Sequence, residues 1–445
     1  MDEQMQRKLV VLSTLIDRLQ LASSLGQQFG GDRKLYEILG YPVEITFGQY
    51  MAKYTRQDIA GKVVDLPAID TWRKPPVISD GNGTTAEDQP GSLFIQGLKT
   101  IIDQRRLWHY LSRVDRLAGI GRYGVLMLGI AGVSDLSQPL EAGSLKSPQD
   151  LIYLSAFSEE SAEIKTKESD AGNARYGLPS VYELDFGDGK ADQPVHWSRV
   201  IHVADDLLED DIYGRPRLER IYNRLDDMEK ITGGGAEATW KVMDRGLQAD
   251  IRDDYTGDTQ TLADLETEID EYLHGLRRFI RTQGVDIKDL GSAVVDPSGL
   301  YNILIGLIAA ASDIPQRILI GSERGELASS QDAANWAGSI AARQQQYAEP
   351  VILRPFIDRL VMTGALPKAE GDKYRVEWSS LFEQTEKEKL EVADLAASAI
   401  SKVAPGGQAD LIVTPDEFRE KYLGLEPNMQ AEVDAVLDEE DVANV

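Results

Sequence analysis

Gly299-Leu300-Tyr301-Asn302-Ile303-Leu304-Ile305-Gly306-Leu307-Ile308-Ala309-Ala310-Ala311-Ser312-Asp313-Ile314-Pro315, the loop Gly321-Ser322-Glu323-Arg324-Gly325-Glu326, and the alanine- and glutamine-rich segment after it decide the fold. The apolar run Leu300 to Ala311 reads as one helix. Proline disfavours helical geometry in the residue before it, so this helix is expected to stop at about Ile314. After the polar, glycine-bearing loop, Ala333, Trp336, Ala337, Ile340, Ala341, Tyr347 and Ala348 recur at steps of three and four, the spacing of one helical face. That second helix is expected to end near Pro350 and Pro355. Its opposite face (Gln331, Asn335, Ser339 and Gln344 to Gln346) is uncharged. An alanine stripe permits close backbone approach, and a neutral polar face meets another subunit or a channel without fixed ion pairs. The pattern suits a packed wall better than a catalytic pocket.

Composition narrows the classes. A chain of 445 residues buries a full-sized core, and its length predicts about two to four domains. With 42% hydrophobic and 27% charged residues it reads as folded and soluble. The absence of cysteine removes disulfide frameworks, thiolate metal sites and thiol nucleophiles, and suits a reducing cytosol. Met1-Asp2-Glu3-Gln4 lacks the basic start of a secretory signal. Leu300 to Ala311 falls short of the roughly 18 apolar residues a membrane span needs, so neither secretion nor membrane insertion is expected. Net charge is −27, from 74 acidic against 47 basic residues. Gripping DNA by its phosphates takes clustered lysine and arginine. Without a long basic run, this chain would meet nucleic acid, if at all, by enclosing or repelling it and not by tight binding, and an acidic surface that keeps a large protein soluble is the plainer reading.

Along the chain, Lys8 to Ser24 reads as a helix and Tyr41 to Val77 as a mixed segment broken by Pro67, Pro75 and Pro76. Leu93 to Leu117 reads as helix, Val125 to Ile130 as a buried strand, and 131–195 as loops with short strands at Leu151 to Leu154 and Tyr182 to Phe186. Pro216 to Ile231 is amphipathic, with Leu218, Ile221, Tyr222, Leu225 and Met228 on one face. Gly233-Gly234-Gly235 is expected to weaken or end it. Residues 241–259 look strand- and turn-like, Leu262 to Ile280 helical, and Ser380 to Val403 a charged helix. Thr414-Pro415-Asp416-Glu417 spells a capping box. The mixture predicts an α+β fold.

The chemical motifs are incomplete. Gly119-Ile120-Gly121-Arg122-Tyr123-Gly124 spells a dinucleotide fingerprint, but the helical segment precedes it and the strand follows, the reverse of what places a pyrophosphate at a helix N-terminus. A tight helix-to-strand turn is the expected role. Gly187-Asp188-Gly189-Lys190 lacks phosphate-loop spacing. His109, His196, His202 and His274 show no metal-ligand spacing. His196-Trp197-Ser198 resembles half of the paired His-x-Ser/Thr signature of two-histidine phosphoesterases, but His202 is followed by Val203-Ala204. Asp205-Asp206, Glu209-Asp210-Asp211 and Asp226-Asp227 read as solvated acids. No catalytic residue, metal or cofactor is expected.

Several segments in order resemble the portal proteins of tailed bacteriophages, in the subgroup carrying the domain of unknown function 1073. They are Leu25-Gly26 with Gly31-Asp32-Arg33-Lys34; Ile59 to Arg73 (IAGKVVDLPAIDTWR); Ala118 to Ile130; Ser198-Arg199-Val200-Ile201-His202; Tyr213-Gly214-Arg215-Pro216; the joint from Ile314-Pro315 to Gly321-Ser322; and Asp416-Glu417-Phe418-Arg419 with Gly424-Leu425. The likeness spans roughly residues 20–425. It implies a ring, usually of twelve subunits, at one capsid vertex, through which double-stranded DNA is packaged and ejected. It implies a wing at 1–215, a first stem helix at 216–240, a clip at 241–285 and a second stem region at 286–319. A tunnel loop at 320–330, a long helix and wing return at 331–403 and a crown with an acidic tail at 404–445 complete it. Terminase large subunit, major capsid or scaffolding protein and a head-completion adaptor are the implied partners, with no membrane. Arg324 is the foremost implied DNA contact, then Arg317, on a loop shaped by Gly321, Ser322 and Gly325. The alternatives are a cyclic-oligonucleotide phosphodiesterase, or another head-to-tail adaptor, a class usually much shorter.

Overall fold

In a computed structural model, the protein is described at residues 34–81, 92–133, 135–187, 189, 191–243, 247–251, 285–289, 296–321, 328–381, 386–403 and 413–423, with positions 16, 20, 266, 267, 270 and 271. The chain divides into two units, residues 1–379 and 380–445.

The first unit begins with a short helix, Leu35–Leu39 (α1), and then Phe47–Arg56 (α2) and Asp58–Trp72 (α3). A reciprocal capping box between Thr46 and Gln49 starts α2. The expected mixed segment is therefore mostly helical. Pro67 lies inside α3 without ending it. Strand Val77–Asp80 (β1) leads to helices Leu93–Arg105 (α4) and Leu107–Ile120 (α5). The single helix expected here is broken at Arg106, which takes left-handed geometry at φ 52°.

Gly124–Ile130 (β2) is buried along its whole length because it is covered on both faces. It pairs antiparallel with Leu151–Ser158 (β3) and Val200–Val203 (β7). Between these in sequence, Ala162–Lys167 (β4), Pro179–Leu184 (β5) and Gln193–His196 (β6) form a second antiparallel sheet. Side chains alternate along a strand, so Leu126, Leu128 and Ile130 join the helices' core while Val125 and Met127 pack with Tyr182, Leu184 and Val195. The glycines of the spurious fingerprint serve this packing. A Cβ on Gly124 would stand 2.8 Å from the Val114 carbonyl oxygen, so the strand starts hard against α5.

Leu218, Ile221, Tyr222, Leu225 and Met228 are buried, as their spacing predicts. The helix they anchor, Tyr222–Met243 (α6), runs straight through Gly233-Gly234-Gly235, contrary to expectation. Helix Ser298–Ser312 (α7) packs along it, and tertiary support of this kind overrides a propensity cost of about 1 kcal/mol per glycine. Antiparallel strands Leu247–Ile251 (β8) and Val285–Asp289 (β9) lie between the two helices in sequence. The helix expected over Leu262 to Ile280 is described only at 266, 267, 270 and 271, all helical. After α7 come Gln316–Ile320 (α8) and Ala328–Arg343 (α9). The helix does not stop at Pro350. A wide turn, Gln344–Leu353, carries it into Arg354–Thr363 (α10), and the widened ladder accommodates a proline that ordinary helical spacing would reject. Strand Tyr374–Glu377 (β10) returns to pair with β1.

In the second unit, Glu386–Val403 (α11) and Pro415–Phe418 (α12) are helical. The Glu417 carboxylate accepts from Thr414 N at 3.0 Å and Thr414 Oγ1 accepts from Glu417 N at 3.3 Å, the expected capping box.

Gly233→Ala tests the continuous α6. Nothing lies within 4 Å of the added Cβ, so urea unfolding should show stabilisation of about 0.5–1 kcal/mol; no gain would mean the helix ends there. Gly124→Ala should destabilise by about 1–3 kcal/mol through overpacking.

Candidate functional site

The helix–loop–helix after Gly299 is fixed to the rest of its unit by a buried knot of charges. Asp115 on α5 is fully buried. It accepts from Arg343 Nη2 at 2.6 Å, Arg343 Nη1 at 3.0 Å, Arg217 Nη2 at 3.0 Å and Trp72 Nε1 at 3.0 Å. Asp205, just beyond β7, accepts from the same Arg217 and Arg343 nitrogens at 2.8 and 3.0 Å. Arg217 Nη1 also reaches the Val64 carbonyl at 2.7 Å, and Arg343 Nη1 reaches Thr71 Oγ1 at 2.8 Å. Two turns earlier on α9, Trp336 Nε1 donates to Asp70 at 2.7 Å, while Gln344 Nε2, next to Arg343, donates to the Thr71 carbonyl at 2.9 Å. Burial alone would raise the pKa of Asp205, but Arg217 and Arg343 pull it down to about 2. The same acids hold Arg343 above its ordinary value despite the burial that would lower it.

Two glycines make this packing possible. A Cβ on Gly119 would lie 2.8 Å from the Arg217 Cζ, and one on Gly214 would lie 1.9 Å from the Asp205 carbonyl oxygen. Both positions belong to segments that stand out in the sequence, Gly119 to Gly124 and Tyr213 to Pro216. That signal, glycines next to arginines, was available. The partners Asp115 and Arg343 carried no pattern of their own.

Helix α9 buries Trp336, Ile340, Tyr347 and Ala348 with its continuation, while Gln331, Asn335, Ser339, Gln345 and Gln346 are exposed. Gln344, expected on the outward face, is instead buried, and Ala341, expected inward, is exposed. The outward polar face borders a groove of about 880 Å³ between α7, α9 and the 205–220 segment, with Asp205, Arg217 and Arg343 among its lining. Helix α7 buries Leu304, Ile305, Ile308 and Ala309 but leaves Leu300, Ile303 and Leu307 exposed at 57%, 60% and 49%, one apolar stripe at helical spacing. Of the residues implied as DNA contacts, Arg317 is the second residue of α8 with its Nε 3.8 Å from Asp332, and Gly321 caps that helix at a positive φ of 93°. Ser322, Arg324 and Gly325 lie outside the described residues, and α9 begins at Ala328, three residues before the expected start.

The residues that hinted at catalysis are structural. Ser198 is buried, accepts from Leu140 N at 2.6 Å and pairs with His196 Nδ1 at 2.8 Å. His202 is stacked on Tyr123, its Nε2 on the Ile212 carbonyl at 2.8 Å and its Nδ1 on Tyr182 at 3.1 Å. Burial lowers its pKa to about 4. The acidic pairs are spent on neighbours: Asp226 on Lys53 at 2.6 Å, Asp227 on Arg224 at 2.9 Å, Asp210 on the Ile212 backbone at 2.7 Å. Among the described residues no group of three histidine or acidic side chains is placed to hold a metal, and no helix is long and apolar enough to cross a membrane.

Comparison with known proteins follows this geometry. The family described as "Phage portal protein" matches residues 48–402. A curated relative, "Anti-CBASS protein Acb1" of Sphingomonas paeninsulae, is 27% identical over 89% of this chain. The chain spans 65% of that relative's length. Among solved structures, chains of the "Virion of native gene transfer agent (GTA) particle" and of the "Neck of native GTA particle computed with C12 symmetry" each superpose with a TM-score of 0.52. Both are 13% identical and match 92% of this chain and 99% of their own. At that identity the likeness is one of fold.

Arg343→Met would leave Asp115 and Asp205 short of countercharge and should cost about 3–5 kcal/mol, read from urea unfolding. Asp205 contributes stability that is complete above its ordinary pKa of 3.8 and lost as pH falls toward its folded value of about 2. The loss amounts to about 2 kcal/mol. Acid titration followed by circular dichroism should show this limb, and Asp205→Asn should flatten it.

Proposed function

The chain belongs to the phage portal protein family, and we propose that it is the subunit of a portal ring at a capsid vertex. Copies close around an axis, twelve by analogy with the C12 neck whose fold it shares, and double-stranded DNA passes through the bore during packaging and ejection. The protein is a structural component of the virion and has no enzymatic role. The observation that carries this reading is the helix–loop–helix after Gly299. A buried ionic knot holds α9 rigid, while α7 presents Leu300, Ile303 and Leu307 outward with no partner for them among the described residues. A ring neighbour would cover such a stripe.

On this reading, residues 1–215 are the first part of the wing and 216–240 the first stem helix. The clip at 241–285 holds β8, and its partner β9 begins at the clip's last residue, Val285. Residues 286–319 form the second stem region, 320–330 the tunnel loop, 331–403 the long helix and wing return, and 404–445 the crown and tail. Terminase and later a head-completion adaptor dock at the clip, and capsid or scaffolding protein meets the wing. Arg324 and Arg317 are the local DNA contacts. Contacts must be local because fixed negative charge gives no counterion-release gain on a polyanion.

A second reading, cyclic-oligonucleotide hydrolysis by a two-histidine phosphodiesterase, draws on His196-Trp197-Ser198 and on the relative named Anti-CBASS protein Acb1. The burial of Ser198 and the structural bonds of His202 weigh against it.

Negative-stain microscopy and native mass spectrometry of the purified chain should show rings with a central hole. Ile303→Asp with Leu307→Asp should reduce ring content at least tenfold at micromolar protein while circular dichroism is unchanged; rings that persist would remove α7 from the interface. Cyclic-oligonucleotide hydrolysis should be undetectable, and activity abolished by His196→Ala would establish the second reading instead.

A further inference from the structure

Three arginines cluster at one turn of this strongly acidic chain without a carboxylate in contact among the described residues, although Glu168 and Asp135 lie near enough to act on Arg175 and Arg199. Arg175, Arg199 and Arg359 surround the His196 to Ser198 turn, and none of them forms an ion pair among the described residues. Their partners are main-chain carbonyls or an indole ring. The Arg175 guanidinium lies 3.6 Å from the Trp197 ring centroid and that of Arg359 lies 4.8 Å from it. Arg359 Nη1 donates to the Trp197, Ser198 and Val200 carbonyls. Arg175 Nη2 donates to the Pro179 carbonyl at 2.8 Å. The other N–H groups of both side chains make no hydrogen bond among the described residues. Behind them Arg199, itself buried, spends Nε on the Gln138 carbonyl at 2.8 Å, and its buried Nη1 has no partner.

Arg175, Trp197 and Arg359 line a cleft of about 230 Å³ with Tyr182, His202 and Asp211. At about 30 Å³ per water molecule, it has room for one oxyanion with some water. Of the titratable groups facing it, His202 is neutral, since burial lowers its pKa to about 4, and Tyr182 is held protonated by burial. Asp211 is exposed at the rim. Arg175 and Arg359 therefore leave one net positive charge before Arg199 is added. Burial disfavours the charge on Arg359, and Arg175 beside it adds repulsion, lowering its pKa to about 10. His196 is depressed by burial and by the same three arginines. An arrangement that concentrates like charge at a cost to each member is relieved by a bound anion.

We propose that the cleft between Arg175, Trp197 and Arg359 is an oxyanion site, which takes a phosphate or carboxylate group on the free guanidinium edges of the two arginines. Arginine suits this role because its planar fork donates two parallel hydrogen bonds to one such group. The indole face nearest Arg175 is already covered, so the site selects the anionic group and not a stacked base. Two sources offer that chemistry: a free phosphate-bearing ligand, or a carboxylate from a second copy of this acidic chain. The second source rests on the ring reading; the first does not.

The experiment is a titration of inorganic phosphate at constant ionic strength, read by the fluorescence change present in the full chain and absent from its Trp197→Phe variant. It is run on subunits kept apart by Ile303→Asp with Leu307→Asp, and on assembled rings if they form. Saturable binding to separated subunits, weakened at least tenfold by Arg175→Gln, supports the site. Arg175→Gln is the informative variant because Arg359 also ties three carbonyls and its loss risks unfolding. Binding that disappears on assembly, with phosphate competing against ring formation, identifies the second copy as the source. Equal binding in both states identifies a free ligand. No saturable binding to separated subunits, or binding unchanged in folded Arg175→Gln, overturns the proposal. If no rings form under any condition, the ring reading fails while the binding measurement on separated subunits still decides the site.

Discussion

Everything about the helix–loop–helix depends on two arginines shared between two aspartates. Arg217 and Arg343 both bond to Asp115 and to Asp205, and the four groups come from α5, the end of β7, the approach to α6 and the end of α9. Removing water from four charges is expensive, and a buried ion pair by itself is weak support for stability. What the arrangement supplies is position. Each guanidinium has fixed geometry and several donors, so these bonds, with those to Thr71 and the Val64 carbonyl, leave α9 one way to sit. Trp336 on Asp70 and Gln344 on the Thr71 carbonyl repeat the constraint on either side. A hydrophobic contact of similar area would hold the helix but tolerate sliding; this one does not.

Rigidity here has a consequence for charge. The acid pairs that read as solvated in the sequence are largely committed: Asp205 to the knot, Asp226 to Lys53, Asp227 to Arg224. The arginines of the knot are equally committed, so neither sign is available at that point to a passing polyanion. The exposed face of α9 near the groove is amide and hydroxyl: Asn335, Ser339, Gln346. Such a surface neither traps phosphates nor strongly repels them.

Much of the fold was legible because it rests on periodicity. The face Leu218, Ile221, Tyr222, Leu225, Met228 and the strand Val125 to Ile130 are repeats that any core must bury, and the Thr414 capping box is local chemistry. The failures share a physical cause. Gly233 to Gly235 and Pro350 are local breakers that the fold absorbs, through a helix packed alongside in the first case and a widened turn in the second, and Pro67 likewise lies within a helix. The knot was illegible because its members sit far apart in sequence and each looks ordinary alone. Gln344 stands four residues after Ile340 and eight after Trp336, so helical spacing puts it on the buried face; its polar side chain suggested the opposite, and the Thr71 carbonyl satisfies it there.

The two sets of buried arginines are opposite solutions to one problem. In a chain of net charge −27, acids are abundant, yet a half-buried arginine can be anchored by them or by other groups. Arg217 and Arg343 are neutralised within the chain and act as structure. Arg175 and Arg359 are held by carbonyls and an indole, which satisfy hydrogen bonds without cancelling charge. Carbonyl anchoring fixes a guanidinium as firmly as a carboxylate does, yet leaves its field intact. A residue arranged in that way is preorganised for a negative group from outside, and the desolvation it has already undergone strengthens the attraction when that group arrives. The same residue type thus locks the scaffold at one place and keeps a charge in reserve at another, and whether the partner supplied by the chain is a carboxylate or a carbonyl decides which.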